Sequence, residues 1–147
     1  MLMSFVKIMI HAVWRTKNSK NLITLDFRPV LLKHIRLNAK AKGIYIDTIN
    51  ARPDHVHCLL ALNADMALSK AMSLIKGESS HWVNQNKFLP YRFEWAAEYY
   101  GVSVSESQLG KVRNYINNQD LHHANMSYDE EYQLFLEKHS TIMAGQG

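Results

Sequence analysis

A short turn between two β-rich runs places the strongest constraint on how this chain folds. Residues Ile44–Asn50 alternate in polarity, His55–Leu62 are mainly apolar, and Arg52–Asp54 between them have the composition of a turn. So short a connection allows only an antiparallel pair, because parallel neighbours need a crossover of about a dozen residues. We therefore expect a β-hairpin near the middle of the chain.

Strands and helices alternate on both sides of this hairpin. Phe5–Trp14 and Tyr91–Ser105 predict two further strands. Helical periodicity predicts helices over Arg28–Lys42, Ala67–Asn86, Gln108–His122 and Tyr128–His139. The resulting order predicts one α+β domain over residues 1–147, with a ferredoxin-like antiparallel sheet, helices on one face and a further C-terminal helix that carries Tyr115. This fold hosts many activities and does not by itself define a function.

The charge of the chain is unevenly distributed. The net charge is +4 over 147 residues, but residues 1–42 carry nine Lys and Arg against Asp26 alone. A basic first third fits a polyanionic partner such as nucleic acid, and it fits a solvated helix face equally well. The one cysteine, Cys58, excludes an internal disulfide framework and fits a reducing cytoplasm. No apolar run approaches the roughly 18 residues of a membrane span, so we expect no membrane association.

The triplet His55-Val56-His57 is the sharpest local feature. On a strand, His55 and His57 share one face while Val56 and Cys58 share the other. Two imidazoles about 7 Å apart on a rigid strand can converge on one divalent cation. The alternative is a pair of histidines at a strand edge, solvated or bonded to backbone. A complete metal site needs a third ligand from another part of the chain.

The predicted helix over Gln108–His122 offers candidate partners. Tyr115 and Gln119 lie one turn apart and share a helix face, which His122 continues. The neighbouring apolar stripe of this helix would pack on the sheet. From spacing alone the simpler interpretation is favoured, in which Tyr115 caps the edge of the core and Gln119 is a solvated surface residue.

Four stretches of the sequence together resemble the small single-tyrosine HUH transposases of bacterial insertion sequences, where HUH denotes His, a hydrophobic residue and His. They occur in the family's order and at suitable spacing, and they are Pro53–Leu60, Lys76–Ser80, Gly101–Ser105 and Val112–His123. The combination is specific, although no single stretch is, and the resemblance extends over roughly residues 5–140.

The resemblance implies that His55, His57 and Gln119 bind Mg²⁺ or Mn²⁺ and that Tyr115 is the nucleophile. Tyr99 and Tyr100 are fallback nucleophiles, although no candidate ligand lies one helical turn from either. It implies cleavage and rejoining of single-stranded DNA at hairpins of element ends, through a 5′-phosphotyrosine link. It also implies a homodimer whose active sites are shared between subunits. The residues that could grip the DNA backbone are Arg28, Lys33, Arg36, Lys40, Lys76, Ser79 and Ser80.

Three alternatives remain open at this stage. A non-catalytic nucleic-acid-binding module on the same fold would bind DNA or RNA without using Tyr115. A zinc protein would use His55 and His57 with a third histidine such as His122. A domesticated relative of the transposases would act on chromosomal hairpins without mobilising itself, and the protein sequence does not distinguish that case.

Overall fold

The computed structural model describes residues 4–119, 127–134 and 137. Four strands and three helices succeed one another there in the order β1, α1, β2, β3, α2, β4, α3. Their bounds are Met9–Thr16 (β1), Arg28–Ala41 (α1), Tyr45–Arg52 (β2), His55–Ala61 (β3), Leu68–Gln85 (α2), Trp95–Ser103 (β4) and Leu109–Asn117 (α3). Residues 128–134 are also helical, and residues 127–134 are called the C-terminal segment below. No helix in these ranges is both long and apolar enough to span a membrane.

The strands form one antiparallel sheet in the order β2-β3-β1-β4. This confirms the expected hairpin and the α+β fold class. The first strand begins later than the sequence predicts, at Met9 rather than Phe5, because Met9 already pairs with Ala61 at the end of β3. Beyond this pair one backbone bond remains among the described residues, from the N–H of Leu62 to the carbonyl of Ile8 at 2.7 Å, and Phe5 is 89% exposed.

Local chemistry explains where α1 begins and ends. Pro29 lies in its first turn, where a missing N–H costs nothing. Gly43 follows the helix with φ of +80°, a conformation that residues with a side chain rarely adopt. The chain therefore leaves α1 and enters β2 within three residues.

The main apolar core lies on the face of the sheet that α1 and α2 cover, called the helix-covered face below. Leu31 and Ile35 of α1 and Met72 of α2 pack there against Val56 and Leu60 of β3. Cys58 projects to the same side and is fully buried, and burial raises the pKa of its thiol to about 12.

The opposite face of the sheet, called the site face below, carries α3. A small apolar cluster of Met9, Leu59, Leu109 and Ile116 holds this helix on the sheet. Two polar contacts with β2 fix it further. The guanidinium of Arg113 donates to both carboxylate oxygens of Asp47 at 2.9 Å, and the Asn50 amide donates to the carbonyl of Ile116 at 2.9 Å.

Candidate active site

Both histidines of the triplet lie on the site face, near the middle of the sheet. His55 is 0% exposed and His57 is 1% exposed, so neither is a solvated residue of a strand edge. Their ring centroids are 5.1 Å apart. β3 is an interior strand between β2 and β1, and this explains the burial that the sequence pattern left open.

A carboxylate from the C-terminal segment joins the two imidazoles. The Oε2 atom of Glu131 lies 3.0 Å from His55 Nε2 and 2.6 Å from His57 Nε2. The ligand atoms of these three residues all lie within 4.8 Å of one another, and all three residues are buried. This arrangement can hold a metal ion, because two imidazoles and a carboxylate suit several divalent cations.

The charges in this cluster stabilise one another. Burial disfavours the charged forms, but the hydrogen bonds with both histidines lower the pKa of Glu131 to about 2. For His55, burial is outweighed by the hydrogen bonds with Asp54 and Glu131, so its pKa is raised. The cluster therefore favours an ionised carboxylate at neutral pH, which is the form that ligates a cation.

The other ring nitrogen of each histidine also has a partner. His55 Nδ1 lies 2.6 Å from Oδ1 of Asp54, the residue that ends the hairpin turn. His57 Nδ1 lies 3.0 Å from Nε2 of His11, a buried residue of β1. In both rings Nδ1 contacts a neighbouring side chain, and Nε2 faces the carboxylate of Glu131.

Tyr115 of α3 lies beside the histidine pair within the same chain. Its ring centroid is 5.5 Å from that of His57 and 6.1 Å from that of His11, in edge-on arrangements. Burial and the charge of Glu131 raise the pKa of its hydroxyl to about 12. The hydroxyl is therefore protonated at neutral pH in the absence of a nearby cation.

Gln119 is fully buried next to Tyr115, contrary to the interpretation as a solvated surface residue. Its amide nitrogen donates to the carbonyl of Tyr115 at 3.1 Å. Its Oε1 atom and the Oε1 atom of Glu131 are buried without a hydrogen-bond partner among the described residues. Buried acceptors of this kind are rare and costly, and a cation is one group that would satisfy them.

A cavity of about 660 Å³ opens on the side of this cluster formed by His57 and Glu131. His57, Tyr115 and Glu131 form part of its wall together with Tyr100 and Lys111. Tyr100, a fallback nucleophile in the sequence analysis, therefore shares the cavity. Tyr99 points to the other face of the sheet, where Lys76 lies over its ring at 5.7 Å.

The residues expected to grip DNA lie on α1 and α2, away from this cavity. Arg28 donates to the carbonyl of Ala51 at 3.0 Å and Arg36 donates to that of Ile46 at 2.7 Å, so both fasten α1 to β2. Ser79 is 1% exposed, and its hydroxyl accepts a hydrogen bond from the indole of Trp95. The exposed members of the set are Lys33, Arg36 and Lys40.

A second, open groove lies between α2 and β4. It has a volume of about 910 Å³, and Lys76 and Ser80 line it. Lys76 is half-buried there and donates to the carbonyl of Ala97 at 3.0 Å. Burial lowers the pKa of this lysine.

Comparison with known proteins places this chain in a family. The family model described as "Transposase IS200 like" matches residues 4–119, which include the histidine pair, Tyr115 and Gln119. The chain belongs to the IS200-like transposases. It is 25% identical over 118 residues to the ISDra2 transposase TnpA of Deinococcus radiodurans, with 74% of this chain and 81% of that protein covered. The resemblance seen in the sequence is confirmed.

Two solved structures share the fold of this IS200-like transposase. One is a provisionally assigned transposase of Deinococcus radiodurans, with a TM-score of 0.64, 23% identity, and coverage of 81% of this chain and 95% of that one. The other is a REP-associated tyrosine transposase bound to a REP hairpin, with a TM-score of 0.61, 18% identity, and coverage of 84% and 73%.

Sequence reasoning on this transposase missed Glu131 and His11. Glu131 is 74 residues beyond His57 in the chain, and only the fold shows that the two side chains meet. His11 occupies an alternate position of the first strand, which is a weak signal, since its partner depends on the register between β1 and β3. His122, the third ligand of the zinc alternative, lies outside the described residues.

Proposed function

We propose that this IS200-like transposase cleaves and rejoins single-stranded DNA at hairpins of element ends, using Tyr115 to form a 5′-phosphotyrosine link. One observation carries the proposal. Tyr115 lies 5.5 Å, ring to ring, from His57, in a cavity that also opens on the buried cluster of His55, His57 and Glu131. A candidate nucleophile and a candidate metal site therefore face the same space.

Tyr115 would attack the scissile phosphorus through its hydroxyl oxygen. The oxygen–phosphorus bond forms while the bond to the leaving 3′-oxygen breaks, which leaves a free 3′-hydroxyl on the other DNA fragment. The hydroxyl proton must leave during the attack, because the pKa of Tyr115 is about 12. The covalent link conserves the phosphodiester bond energy, so a second 3′-hydroxyl can reverse the step and join new ends without ATP.

The protein ligands fit a divalent cation, which we propose is Mg²⁺ or Mn²⁺. His55, His57 and Glu131 would hold it, with Gln119 as a further oxygen ligand whose Oε1 is buried without a partner among the described residues. When bound, such an ion polarises the scissile phosphate and offsets the charge that builds on its oxygens. The negative charge of Glu131 is one cause of the raised pKa of Tyr115, and a bound cation would offset that charge.

The DNA itself would lie across the cavity and along basic surfaces. Lys111 stands one helical turn before Tyr115 and lines the cavity, where its ammonium can approach a backbone phosphate. On the helix-covered side we propose contacts from the exposed Lys33, Arg36 and Lys40, from Lys76 and Ser80 in the α2–β4 groove, and from the outward edge of Arg28. The buried Ser79 would support that groove through Trp95. The neighbour with a REP hairpin bound supports a hairpin partner.

The tyrosine and the histidine pair already meet within one chain. The contacts of Asp47 with Arg113 and of Asn50 with Ile116 hold the tyrosine helix on its own sheet. Attack within one subunit is therefore geometrically available. The homodimer with shared sites expected from the sequence stays a prediction.

The experiment mixes the purified protein with single-stranded oligonucleotides that cover the flanks of its own coding region, with Mn²⁺ present. Denaturing gels then report SDS-resistant protein–DNA adducts for wild type, Tyr115→Phe, Tyr100→Phe and Tyr45→Phe. Tyr45 is 61% exposed on the edge strand β2 and serves as the matched control. We expect an adduct in wild type, Tyr100→Phe and Tyr45→Phe and none in Tyr115→Phe.

Two results would overturn parts of the proposal. An adduct that survives Tyr115→Phe and disappears in Tyr100→Phe would move the nucleophile to Tyr100, the other tyrosine of the cavity. Retarded DNA on a native gel without an adduct under any metal would favour a non-catalytic binding module.

A further inference from the structure

His11 is the one histidine of the described site that neither the triplet nor the predicted ligand set includes. It projects from β1 onto the site face, where Val13, two residues on, is registered opposite His57. It is 8% exposed, and its Nε2 atom lies 3.0 Å from Nδ1 of His57. Water has little access to compete for this contact.

The contact matters because of which nitrogen of His57 faces the metal cluster. A neutral imidazole carries one proton, and it ligates a cation through the nitrogen without that proton. In His57 the ligating atom is Nε2, beside Glu131, so the proton must reside on Nδ1 when a cation is bound. A buried Nδ1–H needs an acceptor, and the atom placed to accept it is Nε2 of His11.

The same need is met differently at the other ligand. Nδ1 of His55 lies 2.6 Å from the carboxylate of Asp54, and an ionised carboxylate acts only as a hydrogen-bond acceptor. His57 has instead a second imidazole, whose ring also meets Tyr115 edge-on at 6.1 Å. His11 thus contacts both a candidate ligand and the candidate nucleophile.

We propose that His11 is a positioning residue that accepts a hydrogen bond from Nδ1–H of His57 and so fixes the tautomer and ring orientation in which His57 binds the cation. This proposal rests on the metal site of the proposed function. It assigns His11 no direct contact with the cation.

The test compares His11→Leu with His11→Gln. Leucine has a side chain of similar size but cannot accept a hydrogen bond. Glutamine places an amide oxygen close to the position of the imidazole Nε2 and can accept one. His34→Gln is the matched control, because it removes a histidine of the helix-covered side that stacks on Trp82.

The main readout is Mn²⁺ affinity in the absence of DNA, measured by calorimetry or by the electron paramagnetic resonance signal of free Mn²⁺. We expect His11→Leu to weaken Mn²⁺ binding by about tenfold or more, the usual effect of removing a partner of a metal-bound histidine. His11→Gln should recover most of that loss, and His34→Gln should match wild type. In cleavage assays, His11→Leu should need correspondingly more Mn²⁺ for half-maximal rate.

Three results would overturn the proposal, and they are distinguishable. Wild-type affinity in a folded His11→Leu variant would show that His57 needs no acceptor. Equal loss in folded His11→Leu and His11→Gln would show that ring packing, rather than the hydrogen bond, supports His57. Absence of Mn²⁺ binding in wild type would instead remove the metal site of the proposed function, and this proposal with it.

Discussion

On β3, alternate residues enter two different environments. Val56, Cys58 and Leu60 leave the strand toward α1 and α2 and join a large apolar core. His55 and His57 leave it in the opposite direction and meet a carboxylate, a second imidazole and a tyrosine. Because side chains alternate along a strand with a period of two, β3 contributes to both the main core and the candidate site. Its backbone also fixes the distance between the two histidines.

The largest effect should come from the site face. His57→Ala removes a candidate ligand and the partner of His11 at once, so we expect cleavage to fall by at least about 10³-fold, roughly 4 kcal/mol in the barrier. Adduct formation at saturating DNA measures it, and chelation of the metal should reproduce it in wild type. Circular dichroism should show a folded variant. Unchanged cleavage would mean that the histidine pair does not carry the chemistry.

The next effect should come from the helix-covered face. Leu60→Ala opens a cavity in a fully buried position and should lower the free energy of unfolding by about 2–5 kcal/mol. Urea denaturation measures the loss, and Leu37→Ala, at a position 57% exposed on α1, should change stability by less than about 0.5 kcal/mol. If the two faces are separable, the folded fraction of Leu60→Ala cleaves at the wild-type rate. A rate loss beyond the unfolded fraction would show that they are coupled.

A smaller effect should come from the contact that fastens the tyrosine helix. Asp47→Asn removes the charge that pairs with Arg113 and should lower the melting temperature less than Leu60→Ala does. The hydrogen bond from Arg113 lowers the pKa of Asp47 below its usual 3.8, so the ion pair stabilises the fold above that pH. The stabilisation is lost as pH falls through the lowered pKa. Melting curves of both proteins should therefore converge in strong acid, and a gap that persists there would contradict an electrostatic origin.

The smallest effect is expected on DNA binding by the helix-covered side, where Lys33 is a proposed phosphate contact. Lys33→Ala should weaken DNA binding slightly and reduce the slope of log affinity against log salt by about one, as expected for one lost phosphate contact. Titrations at several salt concentrations measure it. Lys17→Ala is the control, because the Lys17 ammonium is already paired with Glu94 at 3.1 Å. An unchanged salt slope in Lys33→Ala would remove Lys33 from the proposed DNA contacts.

The sequence was informative wherever short-range patterns decide the structure. The hairpin at Arg52–Asp54, the common face of His55 and His57, and the one-turn spacing of Tyr115 and Gln119 all follow from local geometry, and the fold confirms them. The sequence could not show that Gln119 is buried, because burial depends on how α3 docks against the sheet.

Contacts between distant segments account for what was missed. Glu131 reaches His57 across 74 residues, and His11 reaches it across 46. Neither pairing has a sequence period, since each depends on strand register or on where a later helix lands. The turn residue Asp54 is an intermediate case: an ordinary turn role was the favoured prediction and a hydrogen bond with a ligand histidine the alternative, and the structure shows that Asp54 lies in the turn and also contacts His55.

The buried thiol directly after the second histidine gives the molecule a built-in probe. Cys58 is the chain's one cysteine, and its side chain is fully enclosed on the helix-covered face, while its neighbours His57 and Leu59 project to the site face. A thiol reagent can react with it only after α1 and α2 have separated from the sheet, because in the closed protein the thiol is enclosed and burial raises its pKa. The labelling rate of the unmodified protein therefore reports how often the strand that carries the histidines becomes exposed, without an added fluorophore or a substitution.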